Sequence, residues 1–470
     1  MRSRRPVKSN SVHWTLVVTA LFAVLLVFTG GSSRGDVSFL IIPRVGALVL
    51  IALLLIGLPP RQFAHAARML AAGTIVAGLV ALQLIPLPPS WWAALPGHAP
   101  YATLADQVAG ARWRPMSLTP DLTTESLVAL LPAIALGMAA AAATRRQRSW
   151  WAYAIVALAS FSALLGLVQL ADGPDSVMRW YPITNQASAV GIFANRNHNG
   201  VFLAAAIPIV AMFARERCRR LTRGQAPEPI LFGAGVAIFG LAAMAVSTGS
   251  RFASIAAMIA LIAVPIQFFA NPRPVFAWRS SPRLRLALLA GTVATFALLA
   301  ALVMLAGSGL GRIFNEGLGD DVRSSILPTL SQMTRDFLPF GSGYGSFSSV
   351  FRNYESFDQL RLTYLNAAHN DLFQLAIEGG LPGLALLIGY IVAIVRGTIN
   401  AWRTGGSDLS RAASIGIWLL LAASLFDYPL RTPLLSSLLA VLTVWLLTTA
   451  PEDDALPRDA HNLGARGRGA

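Results

Sequence analysis

Three side chains stand where chemistry could be done. Arg251 closes the tight turn Ser247-Thr-Gly-Ser-Arg251 and opens an apolar run, Phe252-Ala-Ser-Ile-Ala-Ala-Met. A charged side chain entering a membrane is costly unless it is paired or faces a watery cavity. Arg251 therefore either snorkels to the headgroups or holds an anion, since its permanently charged fork suits phosphate. Arg196 lies in Asn195-Arg196-Asn197-His198-Asn199, just ahead of another apolar run. Asn197 or Asn199 is expected to cap the helix that follows. Capping accounts for one asparagine and leaves the others to share a polar cavity with Arg196. His369 ends a mostly polar stretch from Ser308 to Asn370 and precedes Asn370-Asp371. A lone histidine is often structural, but an unperturbed imidazole titrates near ~6.5 and can take a proton from a hydroxyl. Asp371 is expected to cap its helix rather than to orient the histidine.

Other motifs promise less chemistry. Asp320-Asp321 could hold a divalent ion beside phosphates, but the pair sits in a Gly-rich loop without a third oxygen-rich cluster. No metal site and no cofactor are expected. Gly341-Ser-Gly343-Tyr344-Gly345 lacks the lysine and preceding strand of a phosphate loop and reads as a turn. Glu378-Gly-Gly-Leu-Pro-Gly383 places a carboxylate and glycines inside an apolar run, which implies close helix packing or a local break. The single cysteine, Cys218, excludes an internal disulfide.

The elements that must carry these residues are membrane helices. Hydrophobic residues make up 55% of the chain and charged residues 13%, against the roughly 25% charged of a soluble domain. About twelve apolar runs approach the ~20 residues that cross a bilayer: 14–29, 40–58, 67–85, 126–143, 150–170, 199–214, 230–247, 252–270, 286–307, 371–395, 412–426 and 433–449. Lipid offers backbone groups no partners, so these runs are helices, and the short alternating segments of a barrel are absent. The expectation is an all-α polytopic membrane protein. The basic N-terminus (Arg2, Arg4, Arg5, Lys8) and first run lack an A-x-A-like cleavage site and read as a retained anchor.

The net charge of +15 orients the chain rather than recruiting nucleic acid. With the N-terminus inside, 24 Lys/Arg fall on the inner side and 12 on the outer, leaving Arg44, while the acids divide 7 and 15. That asymmetry follows the positive-inside rule and puts the polar stretch 308–370 outside. Residues 1–450 read as one membrane domain, and the polar tail 451–470 as a disordered cytoplasmic segment. The Trp91-Trp92 pair suits a short helix at the lipid interface.

Taken in order, Gly191-Ile-Phe-Ala-Asn-Arg-Asn-His-Asn-Gly200, Ser250-Arg251, Arg323, Pro339-Phe-Gly-Ser-Gly-Tyr-Gly345 and His369-Asn-Asp-Leu-Phe-Gln-Leu-Ala-Ile-Glu-Gly-Gly-Leu-Pro-Gly383 resemble the O-antigen ligase and O-antigen polymerase superfamily. The segments Leu87-Pro-Pro-Ser-Trp-Trp92 and Met116-Ser-Leu-Thr-Pro-Asp121 resemble it too. The resemblance implies a metal-independent glycosyltransferase of the bacterial inner membrane, with its active site facing the periplasm and both termini cytoplasmic. The donor would be a glycan on a polyprenyl diphosphate, and the acceptor a hydroxyl of lipopolysaccharide core or another glycan. Arg251 and Arg196 would hold the diphosphate, His369 would be the base, and Arg323, Asn195, Asn199, Tyr344 and Asn370 would contact substrate. One base and no evident carboxylate nucleophile imply inversion at the anomeric carbon. Repeat-unit polymerisation and glycan transfer to protein hydroxyls use the same donor and stay open. A transporter of anionic lipid-linked substrate is the alternative of another class, though no repeated halves with broken midplane helices are seen. A membrane scaffold leaves the three polar residues unexplained.

Overall fold

A computed structural model describes residues 10–34, 37–110, 112–222, 225–269, 325–355, 365–403 and 406–449. Among them the chain is almost wholly helical, with one two-stranded ribbon in which Pro86-Leu87 pairs antiparallel with Arg114-Pro115. Seven helical segments are long and apolar enough to cross a membrane: Ser38–Gly57, Pro60–Leu82, Pro120–Ala142, Arg145–Asp172, Glu228–Ser247, Arg251–Phe268 and Asp371–Arg403. Shorter apolar helices run over Trp14–Thr29 and Pro433–Leu447. The expected run 286–307, the tail 451–470, Asp320, Asp321 and Arg323 lie outside the described residues.

The helix Arg196–Arg219 is the axis of the bundle and is buried along nearly its whole length. Small residues make this possible, because Gly200, Ala204, Ala205, Ala206 and Ala211 let neighbouring backbones approach closely. A Cβ on Gly200 would come 2.2 Å from the Cβ of Ala253. The helix starting at Arg251 must therefore cross the axis one turn below Arg196. At the opposite end of the axis, Arg215 and Arg219 pair with Asp408, which also holds Arg411. Arg215 Nε donates to the Phe268 carbonyl and Arg411 Nε to the Ala401 carbonyl. Buried charges at that end thus close helix C-termini, where cations are favoured.

Near the site, Ser117-Leu118 and Leu338–Phe351 lock together over the Ile377-to-Gly383 part of the Asp371–Arg403 helix. Gln83 is the clip: its Nε2 donates to the Glu378 carbonyl at 2.8 Å, and its Oε1 accepts from Tyr344 N at 2.9 Å. Ile326, Leu330, Met333, Phe337, Phe347 and Phe351 form a small second core that includes Ile377. The described part of the polar stretch is therefore fastened to the helix it precedes. One expectation is corrected: Trp91 is 68% exposed, but Trp92 is 4% exposed. Adjacent residues on a helix point about 100° apart. Trp92 turns inward, donating Nε1–H to the Pro115 carbonyl at 2.8 Å beneath the Arg114 guanidinium.

Candidate functional site

His369 is the one described non-glycine residue with positive φ, at 50°. Histidine tolerates this left-handed region better than most residues, and such strain persists where the surroundings over-determine it. The surroundings are visible. Asn370 Oδ1 accepts from Leu372 N and Phe373 N at 3.0 and 3.2 Å, so Asn370 caps the helix. Asp371 does not cap it, contrary to expectation. Its Oδ1 accepts from Arg431 Nε at 3.2 Å, and Arg431 Nη2 lies 3.7 Å from Glu378 Oε2. A short polar side chain one residue earlier reaches the free N–H groups, and Asp371 is left to neutralise a neighbouring cation.

The partner of His369 comes from 58 residues further on. His369 Nδ1 lies 3.1 Å from Asp427 Oδ1, and Asp427 is 4% exposed. A carboxylate only accepts, so Nδ1 carries the proton and Nε2 keeps its lone pair when the ring is neutral. The other oxygen is held equally well. Asn197 Nδ2 donates to Asp427 Oδ2 at 2.6 Å and Asn195 Nδ2 at 3.4 Å. His198 Nε2 stands 3.9 Å from the same oxygen, on a ring that is 1% exposed and whose nitrogens make no hydrogen bond. Tyr428 lies between the two imidazoles, its ring centroid 4.9 Å from His369 and 5.6 Å from His198.

The cap of the axial helix is Asn195, whose Oδ1 accepts from Asn197 N at 2.8 Å, rather than Asn197 or Asn199. Asn199 is fully buried, accepting from Ser162 Oγ at 2.8 Å and donating to the Ala189 carbonyl at 3.0 Å. It fastens the 188–194 loop and does not reach an open surface. Gln169 completes that latch, bonding Val190 and Gly191 through both ends of its amide.

Arg196 and Arg251 come to one place. Arg196 Nη1 reaches Ser188 Oγ at 3.4 Å and lies 3.6 Å from where a Cβ on Gly249 would stand. Gly249 is in the turn that ends at Arg251, and Phe252 stacks on Phe426 with centroids 5.6 Å apart, next to Asp427. Both arginines thus share one end of the bundle with the His369–Asp427 pair. Tyr344 is placed elsewhere: its backbone bonds Gln83 and its hydroxyl packs against Gly379 and Gly383 in the helix behind His369. Among the described residues no group of three or more His, Cys, Asp or Glu side chains is set to hold a metal ion.

Asp427 and Arg431 are not among the residues that the sequence singles out. Their signal was there, since Phe426-Asp-Tyr-Pro-Leu-Arg431 sets two opposite charges between two apolar runs. Chemically, the arrangement supplies an imidazole oriented by a carboxylate with both oxygens engaged, at the bundle end that also carries Arg196 and Arg251.

No curated protein matches the chain. Residues 235–388, which hold Arg251, Tyr344 and His369 but neither Arg196 nor Asp427, match the family model described as O-antigen ligase. That match, on the segment bearing Arg251 and His369, makes this part of the chain similar to the O-antigen ligase family.

Proposed function

We propose that the protein moves a glycan from a polyprenyl diphosphate to a sugar hydroxyl, with lipopolysaccharide core as acceptor. The observation that carries this reading is the His369–Asp427 pair at the bundle end that also carries Arg196 and Arg251. As the acceptor oxygen bonds to the anomeric carbon, the bond from that carbon to the diphosphate oxygen breaks. The acceptor proton passes to His369 Nε2, and the departing diphosphate keeps the electron pair. Arg196 and Arg251 stabilise its growing charge where it develops. Asp427 holds the imidazole in the accepting tautomer and stabilises the imidazolium that forms. Asn195 orients Asp427 in this scheme, while Asn370 sets the start of the helix that presents His369. The charge asymmetry of the loops supports a site on the periplasmic side of the inner membrane.

The same geometry supports inversion. A retaining route wants a free carboxylate as nucleophile, and Asp427 is buried with both oxygens bonded. A donor of defined anomeric configuration should yield product of the opposite configuration, readable by NMR; retained configuration would exclude direct displacement. Purified protein given lipid-linked glycan and lipopolysaccharide core should place glycan on the core. Longer lipid-linked chains instead would assign it to the polymerase branch, and Arg251→Ala should abolish either product while the protein still reaches the membrane. Wild-type transfer by that variant would remove Arg251 from the scheme.

A further inference from the structure

The turn after the first helix reaches the same end of the bundle and brings another arginine with it. The helix Asn10–Thr29 ends with Gly30 N donating to Leu26 O. Gly31 N then donates to the Tyr181 hydroxyl at 2.8 Å, and its carbonyl accepts from Ala194 N at 3.1 Å. The Gly30 carbonyl accepts from Leu434 N at 3.0 Å. Only glycine fits at position 31, because a Cβ there would lie 2.3 Å from the Ile192 carbonyl oxygen. The turn is thus wedged between two segments already placed in the site. Ala194 precedes Arg196 by two residues, and Leu434 follows Arg431 by three. Arg34, three residues beyond Gly31, is partly buried, with its N–H on Ser32 Oγ at 3.3 Å.

Arg34 stands near enough to Tyr428 for its charge to act on that hydroxyl. Burial pushes the Tyr428 hydroxyl up to about 12, and the Asp427 charge adds to that, while a hydrogen bond from Asn366 and the Arg34 and Arg431 charges pull the other way. Tyr428 is the ring packed on His369. A lipid diphosphate carries several negative charges, and three guanidiniums neutralise it better than two.

We infer that Arg34 is a further phosphate-binding residue of this site, contacting the donor diphosphate together with Arg196 and Arg251. This rests on the donor reading given under Proposed function. The full-length protein in phosphatidylcholine nanodiscs, titrated with farnesyl diphosphate by calorimetry, tests it. Arg34→Ala should weaken binding by about tenfold, as expected for one lost charge-assisted contact. Arg34→Lys should recover part of the loss, and binding of farnesol, which lacks phosphate, should be unchanged. If Arg251→Ala weakens binding and Arg34→Ala does not, the inference about Arg34 is overturned and the donor reading stands. An equal loss for farnesol would also overturn it, since Arg34 would then act through the fold. Absence of farnesyl diphosphate binding in the wild type would sink the donor reading itself.

Discussion

Asp427→Asn should slow glycan transfer by roughly 10²–10⁴-fold, about as much as His369→Ala, because both remove the oriented base. The reason is tautomeric. Asp427 Oδ2 receives the amide N–H groups of Asn197 and Asn195. An asparagine there must turn its own oxygen toward those donors, which aims its NH2 at His369 Nδ1. Nδ1 then has to accept, the proton moves to Nε2, and the lone pair that would take the acceptor proton is gone. The fold should tolerate the change, since the amide has the shape of the carboxylate. The loss should fall on kcat more than on KM, and adding His369→Ala to Asp427→Asn should cost little more, as for residues acting as a unit. Transfer by Asp427→Asn at the wild-type rate would remove Asp427 from the mechanism and leave His369 to act without an orienting partner.

How much of this was legible depended on the reach of each interaction. Helix class was legible because lipid selects runs of apolar residues, and a run is a local property. Arg196, Arg251 and His369 stood out because charge and imidazole at the ends of such runs are costly. The site-side position of Arg251 next to Arg196 follows from Gly200 meeting Ala253, a contact between two helices that no single stretch of sequence displays. Asp427 was invisible as a partner because it lies 58 residues from His369 and 230 from Asn197. Both helix caps were placed one or more residues off: Asn195 and Asn370 cap, where Asn197 or Asn199 and Asp371 were expected. Neighbouring polar residues compete for the same N–H groups, and the winner depends on which of them another part of the fold requires. Asp371 was needed by Arg431, and Asn197 by Asp427. The run Glu378–Gly383 implies close packing or a break, and the structure has both.

That break carries the largest expected effect on stability. The helix Asp371–Arg403 is interrupted at Gly380, with φ 60° and ψ −155°, a region that other residues avoid. A Cβ on Gly380 would lie 2.3 Å from the Pro339 carbonyl oxygen and 2.6 Å from the Phe340 carbonyl carbon. Both are backbone atoms and cannot swing away. The clash is reciprocal, since a Cβ on Gly341 would lie 2.4 Å from the Glu378 carbonyl oxygen. Backbone bonds run through the same contact, from Leu381 N to Pro339 O at 2.8 Å and from Ser342 N to Ile377 O at 2.8 Å. Gly380→Ala should therefore destabilise the protein by roughly 2–5 kcal/mol, combining backbone strain with overpacking. Gly389→Ala, further along the same helix where a Cβ meets nothing within 4 Å, should leave stability unchanged or slightly raised, since alanine favours helix. Thermal unfolding of both variants in detergent gives the comparison, and equal melting temperatures would show that the interlock contributes nothing. Glu378 sits two residues before the break, accepting from Phe347 N and Gln374 Nε2 and facing Arg431. A shift at Gly380 thus reaches the Arg431–Asp371 pair and, through it, the first turn after His369. Gly380→Ala protein that still folds should lose transfer activity as well, although position 380 touches neither His369 nor Asp427.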